Sequence, residues 1–228
     1  MKTFIRNNKS FFVFLFLFGV FRTAIADWSP IPSASMRPNL LEGDVVLINR
    51  TAFDLKIPLT DVSVAHLGEP ARGDVVVFDS PQDGTRLIKR LVALPGDMVE
   101  MRNDRLFING EGGAYVLEGT ARELAGGRAH EALRLDERVA GTRRTIQVLP
   151  GVGVLRSFAP LRIPPGQYLM LGDNRNNSAD SRVIGLVPRA KLIGRAERVL
   201  VSADYQGNWM PRLERFGMTL AERSNEGP

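Results

Sequence analysis

Hydrophobic and polar positions divide the chain into three regimes. From Phe11 to Phe21 the run FFVFLFLFGVF is unbroken and has no polar stripe, which excludes an amphipathic core helix. Beyond Asp27 the apolar positions fall into short β-branched runs bounded by Gly, Pro and Asp, the pattern of strands. DVVLINR (44–50), GDVVVFDS (73–80) and TRLIKRLVAL (85–94) are such runs, and the last stops at Pro95-Gly96-Asp97. MVEMRNDRLFING (98–110) reads as a hairpin turning at Asn103-Asp104, and GQYLMLGD (166–173) and AERVLVSA (196–203) as further strands. In the third regime, residues 111–160, glycines and charges such as those of ELAGGRAHEALRLDERVAGTRR interrupt the strand pattern. This stretch reads as an insertion or second subdomain, and residues 206–228 as a polar tail.

The apolar N-terminal run has two readings. Lys2, Arg6 and Lys9 precede it with no acid among them, and Ala24-Ile25-Ala26 follows, so it has the form of a signal peptide cut before Asp27. A retained membrane anchor is the alternative. A span wants about 20 residues, about 17 at the least, which Ser10–Ala26 reaches only by including Arg22. Both readings export the rest of the chain, and the preceding basic residues keep the N-terminus inside.

Composition narrows the chemistry. The 228 residues carry no cysteine, which excludes disulfides, thiolate metal sites and a cysteine nucleophile. The net charge of +5 is spread out, with no basic block interleaved with aromatics, so nucleic acid is not an expected partner. Most basic residues are arginines, which cannot serve as bases; the lysines are Lys2, Lys9, Lys56, Lys89 and Lys191.

Three stretches carry candidate chemistry. PIPSASMRP (30–38) sets Ser33 and Ser35 one residue apart among prolines that restrict the backbone. In an extended chain the two hydroxyls share a face, so one could attack while the other donates to an oxyanion. A histidine base would have to be His66 or His130, and neither sits in a motif. Lys89 lies between Leu87 and Leu91 on one face of its strand, with Ile88, Arg90 and Val92 on the other. Burial there would lower its pKa and leave an amine able to take a hydroxyl proton; snorkelling at a sheet edge is the bland alternative. GDNRNNSADSR (172–182) is dense in turn-forming polar residues, which reads either as a structural loop or as a network holding a site.

Taken together and in order, PSASMRPNLLEGDVVLINR, RGDVVVFDSP…RLIKRLVALPGD and GDNRNNSADSRVIGLVP closely resemble bacterial type I signal peptidases. The resemblance covers about residues 20–115 and 160–200 and fades between them. It implies Ser35 as nucleophile, Lys89 as general base, Ser33 as an oxyanion donor and Ser178 as the residue orienting the amine. Met36 would pack beneath the site. Gly172, Asp173, Asn174, Arg175, Asp180 and Arg182 would form the supporting loop, with an Asp180–Arg182 pair. Asn176 departs from the family, which usually has aspartate there.

The fold so implied is mostly β: antiparallel sheets forming a catalytic core (27–110 and 161–205), a smaller variable β subdomain (111–160) and one N-terminal membrane helix. Residues 1–9 would be cytoplasmic and 10–26 the anchor, with Ala24–Ala26 a decoy rather than a cleavage site. The activity implied is removal of signal peptides from exported preproteins after small residues, on the outer side of the inner membrane, without metal or cofactor. Partners would be preprotein signal peptides, the bilayer and the protein-export machinery. A processing peptidase linked to conjugation or pili shares these features. Self-cleaving repressors use similar chemistry, but no DNA-binding module precedes the site. An exported β-rich binding protein would have no need of Ser35, Lys89 and Ser178 together.

Overall fold

The computed structural model describes residues 8–60, 62–153 and 155–221. Nearly all of the basic N-terminus and the last seven residues of the tail lie outside the described residues. Helix α1 (Lys9–Ala24) leads into β1 (Ala26–Pro30), β2 (Asp44–Asn49), β3 (Asp54–Lys56) and β4 (Ser63–His66). Then come β5 (Val75–Asp79), β6 (Arg86–Ala93), β7 (Met98–Arg102), β8 (Arg105–Ile108) and β9 (Glu111–Gly112). The middle of the chain supplies β10 (Ala114–Ala125), β11 (Arg128–Val139), β12 (Thr142–Val148) and β13 (Phe158–Arg162). It closes with β14 (Gln167–Leu171), the one-turn helix α2 (Ser181–Ile184), β15 (Val187–Pro188) and β16 (Leu192–Ser202).

A seven-stranded sheet in the order β1-β2-β16-β5-β6-β14-β15 forms the centre, and its strand pairings are antiparallel. Its middle strands are buried on both faces, which explains why β5 is an unbroken apolar run. Val75 and Val77 join one core cluster with Ile31, Met36 and Ile88, while Val76 and Phe78 join another with Leu91. A four-stranded sheet, β13-β7-β8-β9, packs a third cluster against Val92, Ala93, Leu169 and Leu171.

The middle of the chain is more regular than its sequence suggests. Gly126 and Gly127 do not interrupt a strand; both take positive φ and form the two-residue turn joining β10 to β11, whose twist suits a hairpin. Ala140-Gly141 does the same between β11 and β12, and Asn103-Asp104 between β7 and β8 as expected. The boundaries of the insertion are narrower than 111–160. Residues 111–112 pair with β8 and Phe158 pairs with β7, so only β10-β11-β12 forms a separate sheet. The tail differs too. Arg215 pairs with Asp44, Gly217 donates to Val199, and Leu220 enters the core, so the chain packs back on the central sheet through residue 221.

The N-terminal helix is shorter than the expected 10–26 span. Its 16 residues rise about 24 Å, against a hydrocarbon core of about 30 Å. Ile25 ends it by donating to Phe21, and Ala26 already pairs with Asn49 in the sheet. Among the described residues no helix is long and apolar enough to cross a membrane. Arg22, included in the expected span, pairs with Asp27 at 2.9 Å and lies over the Trp28 ring. The face of α1 remains apolar and exposed from Phe11 to Phe18.

Candidate active site

The segment with the two serines is not extended throughout. Ser33 is, but Ala34–Met36 winds into a 3-10 turn, and it is this turn that brings Ser33 Oγ and Ser35 Oγ to 3.2 Å. Leu40 and Met36, both inaccessible to solvent, anchor the turn to the core. Ser35 is nearly buried.

Strand β6 delivers Lys89 to the same point. Lys89 is 3% exposed, and its Nζ donates to Ser35 Oγ at 2.7 Å and to the Ile88 carbonyl at 2.9 Å. Burial lowers its pKa to about 8, against the opposing pull of the Asp180 and Asp173 carboxylates. The neighbouring Arg90 contributes no bare charge. Its guanidinium grips Asp173 through Nε at 2.8 Å and Nη2 at 2.7 Å, in the fork geometry arginine favours.

The polar loop closes the site from the other side. Asn174 donates its N–H to the Ser35 carbonyl and its side-chain amide to that of Ala34. Asp173 also accepts from Asn39 at 2.7 Å. Asp180 caps α2, accepts from the Gly172 N–H at 3.0 Å and pairs with Arg182 at 2.7 Å. Gly172 has no room for a side chain: a Cβ there would lie 2.2 Å from Ser178 Oγ and 2.5 Å from the Ser35 carbonyl oxygen.

Ser178 departs from expectation. Its Oγ is buried in the loop and has no hydrogen-bond partner among the described residues, so it does not hold the Lys89 amine here. Asn176 gains a role that aspartate could not fill. Its Oδ1 accepts from the Leu149 N–H at 2.9 Å and its Nδ2 donates to Asp104 at 3.1 Å. Neither histidine approaches the pair: His66 lies in β4 against Asp54 at 2.7 Å, and His130 sits near the far end of the β10–β11 hairpin.

Sequence reasoning missed a second set of residues around the loop. Glu137 of β11 is wholly buried and receives Arg175 at 2.7 Å and Arg144 at 2.7 Å. Burial favours its protonated form, but Arg175 and Arg144 outweigh that and hold its pKa at about 2. Glu123 of β10 receives Arg37, next to Met36, at 2.9 Å through both oxygens. The signal was present. Glu137 lies between Leu135 and Val139 on one strand face, as Lys89 lies between Leu87 and Leu91.

With this geometry established, the sequence can be set beside known families. Residues 4–201 match the family described as signal peptidase, peptidase S26. The chain belongs to that family. A signal peptidase I from Pseudomonas fluorescens is 35% identical over 94% of this chain and 78% of its own length. That of Pseudomonas aeruginosa is 34% identical over the same shares. A signal peptidase I from Bacillus amyloliquefaciens is 31% identical over 74% of this chain and 70% of its own length. As a member of peptidase family S26 the chain is a peptidase, a hydrolase of peptide bonds.

Proposed function

We propose that the chain removes leader peptides from exported preproteins, with Ser35 as nucleophile and Lys89 as general base. One observation carries the reading: the 2.7 Å contact between a 3% exposed lysine and a serine hydroxyl, in a site without histidine. Burial makes the neutral amine accessible near physiological pH, which is what a lysine base requires.

In the reacting state the contact reverses its proton. Ser35 Oγ–H donates to the neutral Lys89 amine, and as Oγ attacks the scissile carbonyl carbon the proton passes to Nζ. The oxygen of the tetrahedral adduct takes the negative charge beside Ser33 Oγ–H and the Ser35 N–H. Collapse breaks the C–N bond, and the Lys89 ammonium returns its proton to the leaving amine. Water then attacks the Ser35 ester, losing its proton to Lys89. As the C–O bond breaks, the Lys89 ammonium returns that proton to Ser35 Oγ, which releases the signal peptide with a free carboxylate and restores the neutral amine.

The finer assignments belong to the same proposal. The substrate would lie extended beside the site as an added strand, with small residues at the cut, of Ala-x-Ala type. Helix α1, apolar and exposed from Phe11 to Phe18, would hold the enzyme at the outer face of the inner membrane. Nine residues separate Ala26 from Ser35, at most about 30 Å of chain, so the site stays close to that helix.

The test is cleavage of a preprotein by the purified protein beside Ser35→Ala and Lys89→Ala, with N-terminal sequencing of the product. The expected outcome is a single cut after a small residue, abolished in both variants. Equal cleavage by parent and variants overturns the mechanism. Ser33→Ala should lose about 10²–10³ in kcat, the cost of one oxyanion donor.

A further inference from the structure

The three-stranded sheet β10-β11-β12 lies in the part of the chain with the weakest motif content, yet it is joined to both halves of the site. Strand β12 runs beside the polar loop as a short parallel bridge: Gln147 N–H donates to the Asp173 carbonyl and Arg175 N–H to that of Gln147, each at 2.8 Å. The loop's Arg175 then turns away from Ser35 and inserts its guanidinium into this sheet, where it is 1% exposed. Its Nη1 donates to Glu137 Oε1 at 2.7 Å, and its Nη2 meets Oε2 of the same carboxylate, closing a two-pronged pair. Arg144 Nε donates to the same Oε2 at 2.7 Å.

A buried guanidinium held by a buried carboxylate in a two-pronged pair depends on that carboxylate. Arg175 lies two residues from Asp173, which grips Arg90, and one from Asn174, which holds the Ser35 carbonyl. Displacing Arg175 therefore displaces the groups that flank both reacting side chains. The Glu137 carboxylate is well suited to the task, since its two arginine partners keep it ionised throughout the working pH range.

We propose that Glu137 is a positioning residue for the Ser35–Lys89 pair, acting from the inserted sheet through Arg175 on the loop Gly172–Ser178. The inference rests on the function proposed above for the pair, but the geometry it concerns can be read without catalysis. The inserted sheet is thus part of the active-site frame rather than an ornament upon it. Glu123, which holds Arg37 beside the nucleophile turn, makes a second attachment of the same kind.

The experiment uses the full-length protein labelled at lysine Cε. The chain has five lysines, so NMR resolves their titrations, and Lys89→Met assigns the Lys89 signal. Lys89 faces Ser35, Asp173 and Asp180, and burial dominates its low midpoint of about 8. In Glu137→Gln the loosened loop admits water, and the midpoint should rise by about one unit toward that of exposed lysine. With a preprotein substrate, kcat should fall about 10²-fold at nearly unchanged KM, the effect of a misplaced reacting group. Glu137→Gln should add little to Arg175→Gln, because the two act as one unit.

An unchanged Lys89 midpoint in folded Glu137→Gln overturns the proposal, as does a loss confined to KM. If Glu137→Gln does not fold, Glu137→Asp keeps the charge and shortens its reach. It is expected to fold with the midpoint and kcat shifted in the same directions by less, and an unmoved midpoint there overturns the proposal equally. A moving midpoint in a protein that cleaves no preprotein supports the positioning role while refuting the proposed function.

Discussion

Lys89 Nζ and Ser35 Oγ meet at 2.7 Å although fifty-four residues separate them in the chain. A central strand brings the amine and a 3-10 turn brings the hydroxyl, and both elements are fixed by buried apolar neighbours on their own sides. The meeting costs the lysine most of its solvation, and that cost is what makes it a usable base.

The pH dependence of cleavage follows from this burial. Lys89 acts when neutral, and its pKa is lowered from 10.5 to about 8. The base form therefore grows as pH rises through about 8. The expected kcat/KM profile has an acid limb with its midpoint there, falling about tenfold per unit below it. Steady-state rates from about pH 6 upward on a peptide substrate check this. A limb at the position of an exposed lysine would remove Lys89 from the role.

The same burial lowers stability, and a variant should recover it. Between pH about 8 and 10.5 the unfolded chain holds a proton on Lys89 that the folded chain has lost, so stability rises with pH across that window. Below it the full penalty applies, on the order of 3 kcal/mol. Lys89→Met should abolish cleavage and raise unfolding stability at pH 7 by up to about that amount. The gain should shrink as pH climbs through the window. Denaturant melts of both proteins at neutral and alkaline pH measure the difference, and a variant less stable than its parent at pH 7 would refute the account.

The central sheet is legible because its strands alternate or run apolar between clear turn signals, and the leucines at 87 and 91 mark Lys89 as a lysine on an apolar strand face. The inserted sheet was not legible. Gly126-Gly127 looks like an interruption until the strands on either side are seen to pair across it. The sequence places Ser33 and Ser35 on one face of an extended chain; their hydroxyls instead meet through a 3-10 turn, which no local pattern reports. Glu137 shows the same flanking by Leu135 and Val139 as Lys89 by its leucines, but its partner Arg175 is thirty-eight residues away and no local motif joins the two. Helix α1 ends at Ala24 rather than Ala26 because sheet pairing of Ala26 with Asn49 competes with helix propagation, which composition cannot report.

Gly172→Ala tests how tightly the loop meets the nucleophile turn. The added methyl would sit 2.5 Å from the Ser35 carbonyl oxygen, a backbone atom that cannot swing aside, and 2.2 Å from Ser178 Oγ. Relief requires the loop and the turn to separate. The expected result is a stability loss of about 1–3 kcal/mol. Beyond that, kcat should fall about 10²-fold in the folded fraction. Thermal melts and single-turnover rates separate the two effects, and a variant with parental kcat would show that the close approach has no bearing on the pair.

Asn176→Asp installs the residue that the resemblance leads one to expect, and here it should be harmful. The Asn176 amide satisfies two neighbours at once: Oδ1 accepts from the Leu149 N–H and Nδ2 donates to Asp104. Aspartate keeps the first contact and turns the second into two carboxylates about 3.1 Å apart, with Arg156 offsetting them from the Asp104 side. Losing the donor and facing a like charge should cost about 1–3 kcal/mol. The deficit should narrow on acidification, where protonation relieves the repulsion, and should largely vanish when Asp104→Asn is added, because the second change restores a donor–acceptor pair. Unfolding curves of the parent, both single variants and the double variant form a closed cycle, and additivity of the two single effects would show that the residues do not act on one another.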